Sequence, residues 1–188
     1  MADAVTLAIA ADDIRTRVGE LGAAISEDYR GRRPIVVGVL TGALWFVADL
    51  VRQIEVDLDV DFLLLNRFGE GGRIRLQTDT SVPLVGRDVL LVEDIVDTGL
   101  SLTVLRRMIE EREASSVRCA ALIDKTTRRI VDVPLEYRGF EVGDEFLVGY
   151  GLDHEGRFRN LPDLWAVLDL ATFSADPGTF ARRVFRTG

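Results

Sequence analysis

The sequence predicts an α/β fold: a mainly parallel, twisted sheet flanked by helices. Three observations lead there. Unbroken apolar runs of strand length recur (PIVVGVL, VDFLLLN, VLLV, VRCAALID), as strands covered on both faces require. Segments between them place apolar residues at helical spacing. Glycine turns follow two of the runs, Thr41-Gly42 and Asp97-Thr98-Gly99, and strand, tight turn and helix form half of a βαβ unit.

In chain order, Asp12 or Asp13 is expected to cap a helix reaching about Tyr29, with Ile14, Val18, Leu21 and Ile25 on one face. Pro34 opens the strand PIVVGVL, and ALWFVADLVRQI continues as a helix. VDFLLLN is a second strand. The glycine-rich NRFGEGGRIR then reads as a hairpin tip returning through RIRLQ. VLLV leads into a helix from about Leu100 to Glu113, with Val104, Leu105, Met108 and Ile109 inward. VRCAALID, EFLVGYGLD and LWAVLDL supply further strands. The tail from Ala171 to Gly188 reads equally as a short helix or a frayed end.

A length of 188 residues predicts one domain with a sizeable core. The net charge of −8 argues against a broad nucleic-acid footprint or a basic membrane patch, while leaving room for a local basic pocket. The N-terminal MADAVTLAIAADD lacks a basic region and a long apolar run, so a cytoplasmic protein is expected. Cys119, the single cysteine, sits in an apolar run and needs no role beyond packing.

The chemistry concentrates in VLLVEDIVDTGLSL, Val89 to Leu102. Parallel sheets bind ligands outside the carboxyl ends of their strands, and here Glu93, Asp94 and Asp97 crowd such an end. Repelling carboxylates at one place point to hydroxyls or Mg²⁺, both hard-oxygen chemistry. Asp is also an ordinary turn residue, but that explains one acid more easily than three. Asp97 to Ser101 then offer amides at a helix N-terminus, suited to a phosphate. A 5-phosphorylated ribose meets both demands. Lys125 is the single lysine among 23 basic residues, which marks a place for a compact ammonium rather than a planar fork. His154, the single histidine, reads as a polar loop residue. Phe146 and Tyr150, taken alone, read as core aromatics.

With these residues in view, VLLVEDIVDTGLSL resembles the 5-phosphoribosyl-1-pyrophosphate (PRPP) signature of type I phosphoribosyltransferases, most closely the hypoxanthine/guanine branch. VGVLTGALWFVADL is similar to that family's pyrophosphate-loop strand and helix, ALIDKTTRR to its base-recognition segment, and the stretch from Tyr137 to Asp169 to its C-terminal portion. The resemblance implies a core over about 34–135 and a small hood made by the N-terminal helix and about 136–170. It implies that Glu93 and Asp94 hold the ribose hydroxyls directly or through Mg²⁺, and that Asp97, Thr98, Gly99, Leu100 and Ser101 cradle the 5-phosphate. Asp97 would accept the proton of purine N7. Thr41, Gly42 and Arg159 would meet pyrophosphate. Lys125 would bond the 6-oxo group, Phe146 would stack on the base, the Leu147 backbone would meet its edge, and Asp153 would lie by the base, Mg²⁺ and pyrophosphate. The expected partners are PRPP and a 6-oxopurine, with a homodimer or homotetramer as the assembly.

Two departures from the family pattern stand out. Thr41 replaces the usual lysine of the pyrophosphate loop, where its backbone N–H can still donate, especially across a cis Leu40–Thr41 peptide. The lid loop is shortened, with Arg67-Phe68 in place of a Ser-Tyr pair. These departures sustain a second reading, a phosphoribosyltransferase-fold sensor of PRPP or nucleotide that regulates a partner. Retention of Asp97 and Lys125 favours the enzyme. A transferase for another nucleobase is a third reading, opposed by Lys125 and Phe146.

Overall fold

The computed structural model describes residues 4–68 and 73–185, with side chains described outside 66–75. Strand β1 (Val5–Ile9) precedes helix α1 (Ala11–Asp28), then β2 (Ile35–Leu40), α2 (Leu44–Leu50), and the hairpin β3 (Asp59–Phe68) and β4 (Arg73–Thr78). Next come β5 (Asp88–Val96), α3 (Leu100–Glu110), β6 (Ser116–Asp124), β7 (Tyr137–Glu141), β8 (Phe146–Val148), β9 (Leu164–Val167), α4 (Leu170–Ala175) and α5 (Pro177–Val184).

Six strands form one sheet in the order β4-β3-β2-β5-β6-β7, parallel except at the β3–β4 hairpin. The apolar runs explain this layout, because alternate residues are buried on opposite faces. Val36, Leu90, Val92, Ala120 and Leu122 join a core with α1 and α2, while Ile35, Val37, Val89, Leu91, Cys119 and Ala121 join another with α3. Leu90 and Leu91 are both fully buried, and each such side chain contributes about 1.5–3 kcal/mol. The chain leaves β2 toward one edge for β3 and returns to the other side for β5, so the switch in strand order lies between β2 and β5. A ligand crevice belongs at that switch.

The antiparallel sheet β1-β9-β8 forms a smaller layer, with a third core of Val5, Val148, Phe158, Leu161, Val167, Phe173 and Phe180. Helix α1, grouped with the hood from sequence, packs instead against α2 and β7 of the large sheet, and β1 is the N-terminal element of the small one. Its helix also starts earlier than the aspartate-cap expectation. Ala10 is the N-cap without a side-chain bond, and the Ala11 amide donates to the Asp163 carboxylate at 2.8 Å. Asp12 and Asp13 occupy the first turn, where they favour the positive end of the helix dipole.

Helix α3 turns Leu102, Leu105 and Ile109 inward, and Val104, expected inside, is 49% exposed. The tail is helical through α4 and α5, each capped by an aspartate (Asp169, Asp176) accepting from an amide three residues on. The hairpin expectation for RIRLQ holds. The lid expectation falls on 67–72, of which Gly69 to Gly72 lie outside the described residues and Arg67 and Phe68 outside the described side chains. Among the described residues no helix is long and apolar enough to cross a membrane.

Candidate active site

Register builds the site. Strand β5 runs past its apolar segment to Val96, so Glu93 and Asp94 lie within the strand rather than after it. Val96 pairs with Asp124 at the end of β6, and the Lys125 amide donates to the Val96 carbonyl at 2.9 Å. The residues following the two strands, Asp97 and Lys125, therefore emerge side by side. Gly99 then starts α3 from a left-handed conformation (φ 83°). A Cβ there would stand 2.6 Å from the Val131 carbonyl oxygen, so both backbone and space require glycine.

A cavity of about 450 Å³ opens at this end of the sheet, lined by Glu93, Asp94, Asp97, Thr98, Gly99, Ser101, Lys125, Phe146, Leu147 and Asp153, with Ile95, Val96, Leu102 and Leu152 between them. The first-turn amides of α3 lack intrahelical acceptors, which makes the Thr98–Ser101 wall receptive to an anion. Leu100, expected among the phosphate-binding residues, does not line the cavity, and its side chain is 49% exposed. Only its amide, 3.4 Å from Thr98 Oγ1, belongs to the loop.

Thr41, Gly42 and Arg159 also stand outside the lining, yet two of them border it. A Cβ on Gly42 would overlap Asp94 Oδ2 and lie 2.6 Å from its Cγ, so the loop after β2 rests directly on that carboxylate. Arg159 pairs with Asp153 at 2.6 Å and donates to the Gly151 carbonyl at 2.5 Å. The Leu40–Thr41 peptide is cis.

The charges are unequal in kind. Burial pushes the Asp94 carboxyl up to about 6, against the opposing pull of the Ile95 and Asp94 amides and Arg159, with Asp153 adding a smaller upward push. Lys125 is 7% exposed and donates to the Glu145 carbonyl at 2.6 Å. Burial lowers its ammonium below the usual lysine range, with Asp97 pulling the other way. Asp97 accepts from Arg128 Nε at 2.6 Å. Among the described residues no three Asp, Glu, His or Cys side chains converge on a metal cage. Glu93, Asp94 and Asp153 nevertheless supply hard oxygens, and Mg²⁺ takes one or two carboxylates while keeping waters and substrate oxygens, so this donor set fits it.

One residue escaped sequence reasoning, and the reading of a second was incomplete. Arg128 sits three positions after Lys125 in a 3₁₀ turn and joins Asp97 to Asp144; the paired cations at that spacing were its only local signal. His154 is not simply a polar loop residue. Its ring meets Phe146 edge-on (5.8 Å between centroids) and Phe173 (5.1 Å), with Nε2 buried without a hydrogen-bond partner.

Comparison with known proteins converges on this region. The phosphoribosyl transferase domain family matches residues 10–155. The hypoxanthine-guanine phosphoribosyltransferase of Streptococcus thermophilus (strain CNRZ 1066) is 41% identical over 155 residues, covering 80% of this chain and 86% of that protein. The Bacillus subtilis (strain 168) protein of that name is 40% identical over 158 residues, covering 82% and 88%. Among solved structures, a hypoxanthine-guanine phosphoribosyltransferase from Bacillus anthracis, with a HEPES molecule in its active site, superposes with a TM-score of 0.84 at 36% identity, over 86% of this chain and 98% of that one. The hypoxanthine phosphoribosyl transferase of Trypanosoma cruzi gives 0.86 at 32%, over 92% and 95%.

Proposed function

The chain belongs to the phosphoribosyltransferase family, and from that premise we infer that it is a purine-salvage enzyme converting hypoxanthine or guanine and PRPP to the nucleoside 5′-monophosphate and pyrophosphate. The observation that carries the reading is the β5–β6 register, which sets Asp97 beside Lys125 at the mouth of an anion-receptive cavity.

In this reading the 5-phosphate sits against the amides of Thr98 to Ser101, with the exposed Leu100 contributing backbone alone. Glu93 and Asp94 receive the ribose hydroxyls, and Phe146 and Leu147 flank the base. Lys125 donates to the 6-oxo oxygen; its ammonium has three donors, so it keeps the Glu145 carbonyl while bonding substrate. Purine N9 attacks C1, the C1–O bond breaks with its electron pair leaving on pyrophosphate, and the N7 proton passes to Asp97. Positioning and charge stabilisation dominate such a step. The Gly42 and Thr41 amides and Arg159 face the departing pyrophosphate, and the missing lysine at position 41 weakens that grip without removing it. Mg²⁺, held by Glu93, Asp94 or Asp153, supplies neutralising charge when bound.

We take residues 1–188 as one domain acting in the cytoplasm, since highly charged PRPP does not cross a bilayer, and as a homodimer or homotetramer. No observation favours the regulatory alternative. The test is inosine 5′-monophosphate formation from hypoxanthine, PRPP and Mg²⁺. Absence of turnover with retained PRPP binding would refute the enzyme reading, and a panel of bases ranks hypoxanthine, guanine and xanthine.

A further inference from the structure

The turn following β6 is stitched to the segment leading into β8 by three side chains. Lys125 Nζ donates to the Glu145 carbonyl at 2.6 Å, Thr126 Oγ1 to Glu141 at 2.5 Å, and Arg128 to Asp144 at 2.5 Å. Arg128 alone of the three also reaches the loop after β5, through Nε to Asp97 Oδ1 at 2.6 Å. One guanidinium thus joins three segments: the Asp97 loop, the Lys125 turn and the segment that leads into β8, the strand of Phe146 and Leu147.

We propose that Arg128 is a positioning residue for the purine, a clasp that sets the distance between Asp97 and the Phe146–Leu147 wall. The proposal rests on the purine-transfer reading above. Its physical basis is geometric. Asp97 lines the cavity, Asp144 lies two residues before the cavity-lining Phe146 of β8, and the planar fork of Arg128 bonds the first from Nε and the second from Nη1. A rigid fork fixes both directions at once, which a flexible ammonium does not. Stability is a poor explanation for the arrangement, because Arg128 and Asp97 are each 44% exposed and Asp144 is 72% exposed, and exposed pairs contribute little to folding. The benefit lies in the pocket: a base enters between two walls already held apart at a fixed spacing, rather than having to order them as it binds.

The experiment compares Arg128→Ala, Arg128→Lys, Asp144→Ala and the Arg128→Ala/Asp144→Ala double variant, measuring KM for hypoxanthine, KM for PRPP, kcat and Tm. Each single variant is expected to raise KM for hypoxanthine about fivefold, the double to be no worse than the poorer single because both cut one clasp, and KM for PRPP and Tm to stay unchanged. Arg128→Lys keeps charge without the fork and is expected to remain impaired. The Kd of inosine 5′-monophosphate, measured calorimetrically without turnover, is expected to weaken by the same factor. An unchanged hypoxanthine KM in Arg128→Ala would overturn the proposal. So would impairment in Arg128→Ala with Asp144→Ala behaving as the unsubstituted protein, since Arg128 would then act on Asp97 alone. Failure of the unsubstituted protein to turn over would instead count against the transferase reading, with the Kd comparison still deciding the clasp.

Discussion

Replacing Gly42 by alanine tests how the loop after β2 serves the acidic strand. The added Cβ would lie 2.6 Å from Asp94 Cγ and overlap Oδ2. Ordinary contacts begin near 3.4 Å, so the overlapped Oδ2 must withdraw by roughly 1.5 to 2 Å. It has little freedom to do so, because its Oδ1 accepts the Ile95 amide at 2.8 Å. The loop cannot retreat either, since the Gly42 carbonyl is packed so closely on Gly151 that a Cβ there would collide with it. Overpacking of this kind costs about 1–3 kcal/mol, and the displaced group is the one assigned to the ribose and its metal. If the strain falls on substrate binding, KM for PRPP rises about 5- to 150-fold at 1.4 kcal/mol per decade, while KM for hypoxanthine at saturating PRPP changes little. The assay is steady-state nucleotide formation with each substrate varied in turn, alongside a thermal melt. An unaltered PRPP KM in a normally folded Gly42→Ala protein would refute the idea that this glycine exists to let Asp94 reach the ligand.

Asp97→Asn keeps size and removes basicity, so kcat is expected to fall about 10²- to 10⁴-fold with a far smaller change in PRPP affinity; equal losses in single-turnover rate and binding would contradict the proton-acceptor role. Asp94 holds its proton up to about 6 in the folded chain against 3.8 for the ordinary group. Unfolding releases that proton between these values, so metal- and ligand-free stability declines as pH rises from 4 through 6, by at most about 3 kcal/mol at 1.36 kcal/mol per unit. Asp94→Asn should therefore raise the Tm of the chelator-treated protein at pH 8 and lose that advantage near pH 4, and an equal effect at both pH values would argue against it. Asp124 is fully buried between Arg129 and Arg138, each at 2.6 Å. Asp124→Ala leaves the largely buried Arg129 without its carboxylate, while the half-exposed Arg138 keeps Glu141 at 3.5 Å, and is expected to cost about 3 kcal/mol, read by urea denaturation; a loss below about 1 kcal/mol, the value of a surface pair, would show the contacts to be superficial.

What could be foreseen divides along a physical line. The parallel strands were legible because burial on both faces writes itself as contiguous Val, Leu and Ile, and α1 and α3 because one buried stripe writes itself at helical spacing. The acidic strand end and the α3 amide wall were legible for a related reason: their chemistry is contained in a dozen consecutive residues, and a parallel sheet presents such ends to ligands. Features made by distant partners left no such trace. β1 takes its place from β9, more than 150 residues away, and its exposed Thr6, Leu7 and Ala8 carry no strand signature. The cap of α1 is Asp163, not the aspartates beside it. Arg128 shows why this matters for function. In the sequence it is one arginine among many, whereas in the fold it bonds Asp97 and Asp144 together. One guanidinium therefore ties the loop after β5 to the segment preceding β8, a link between positions 97 and 144 that no local pattern announces.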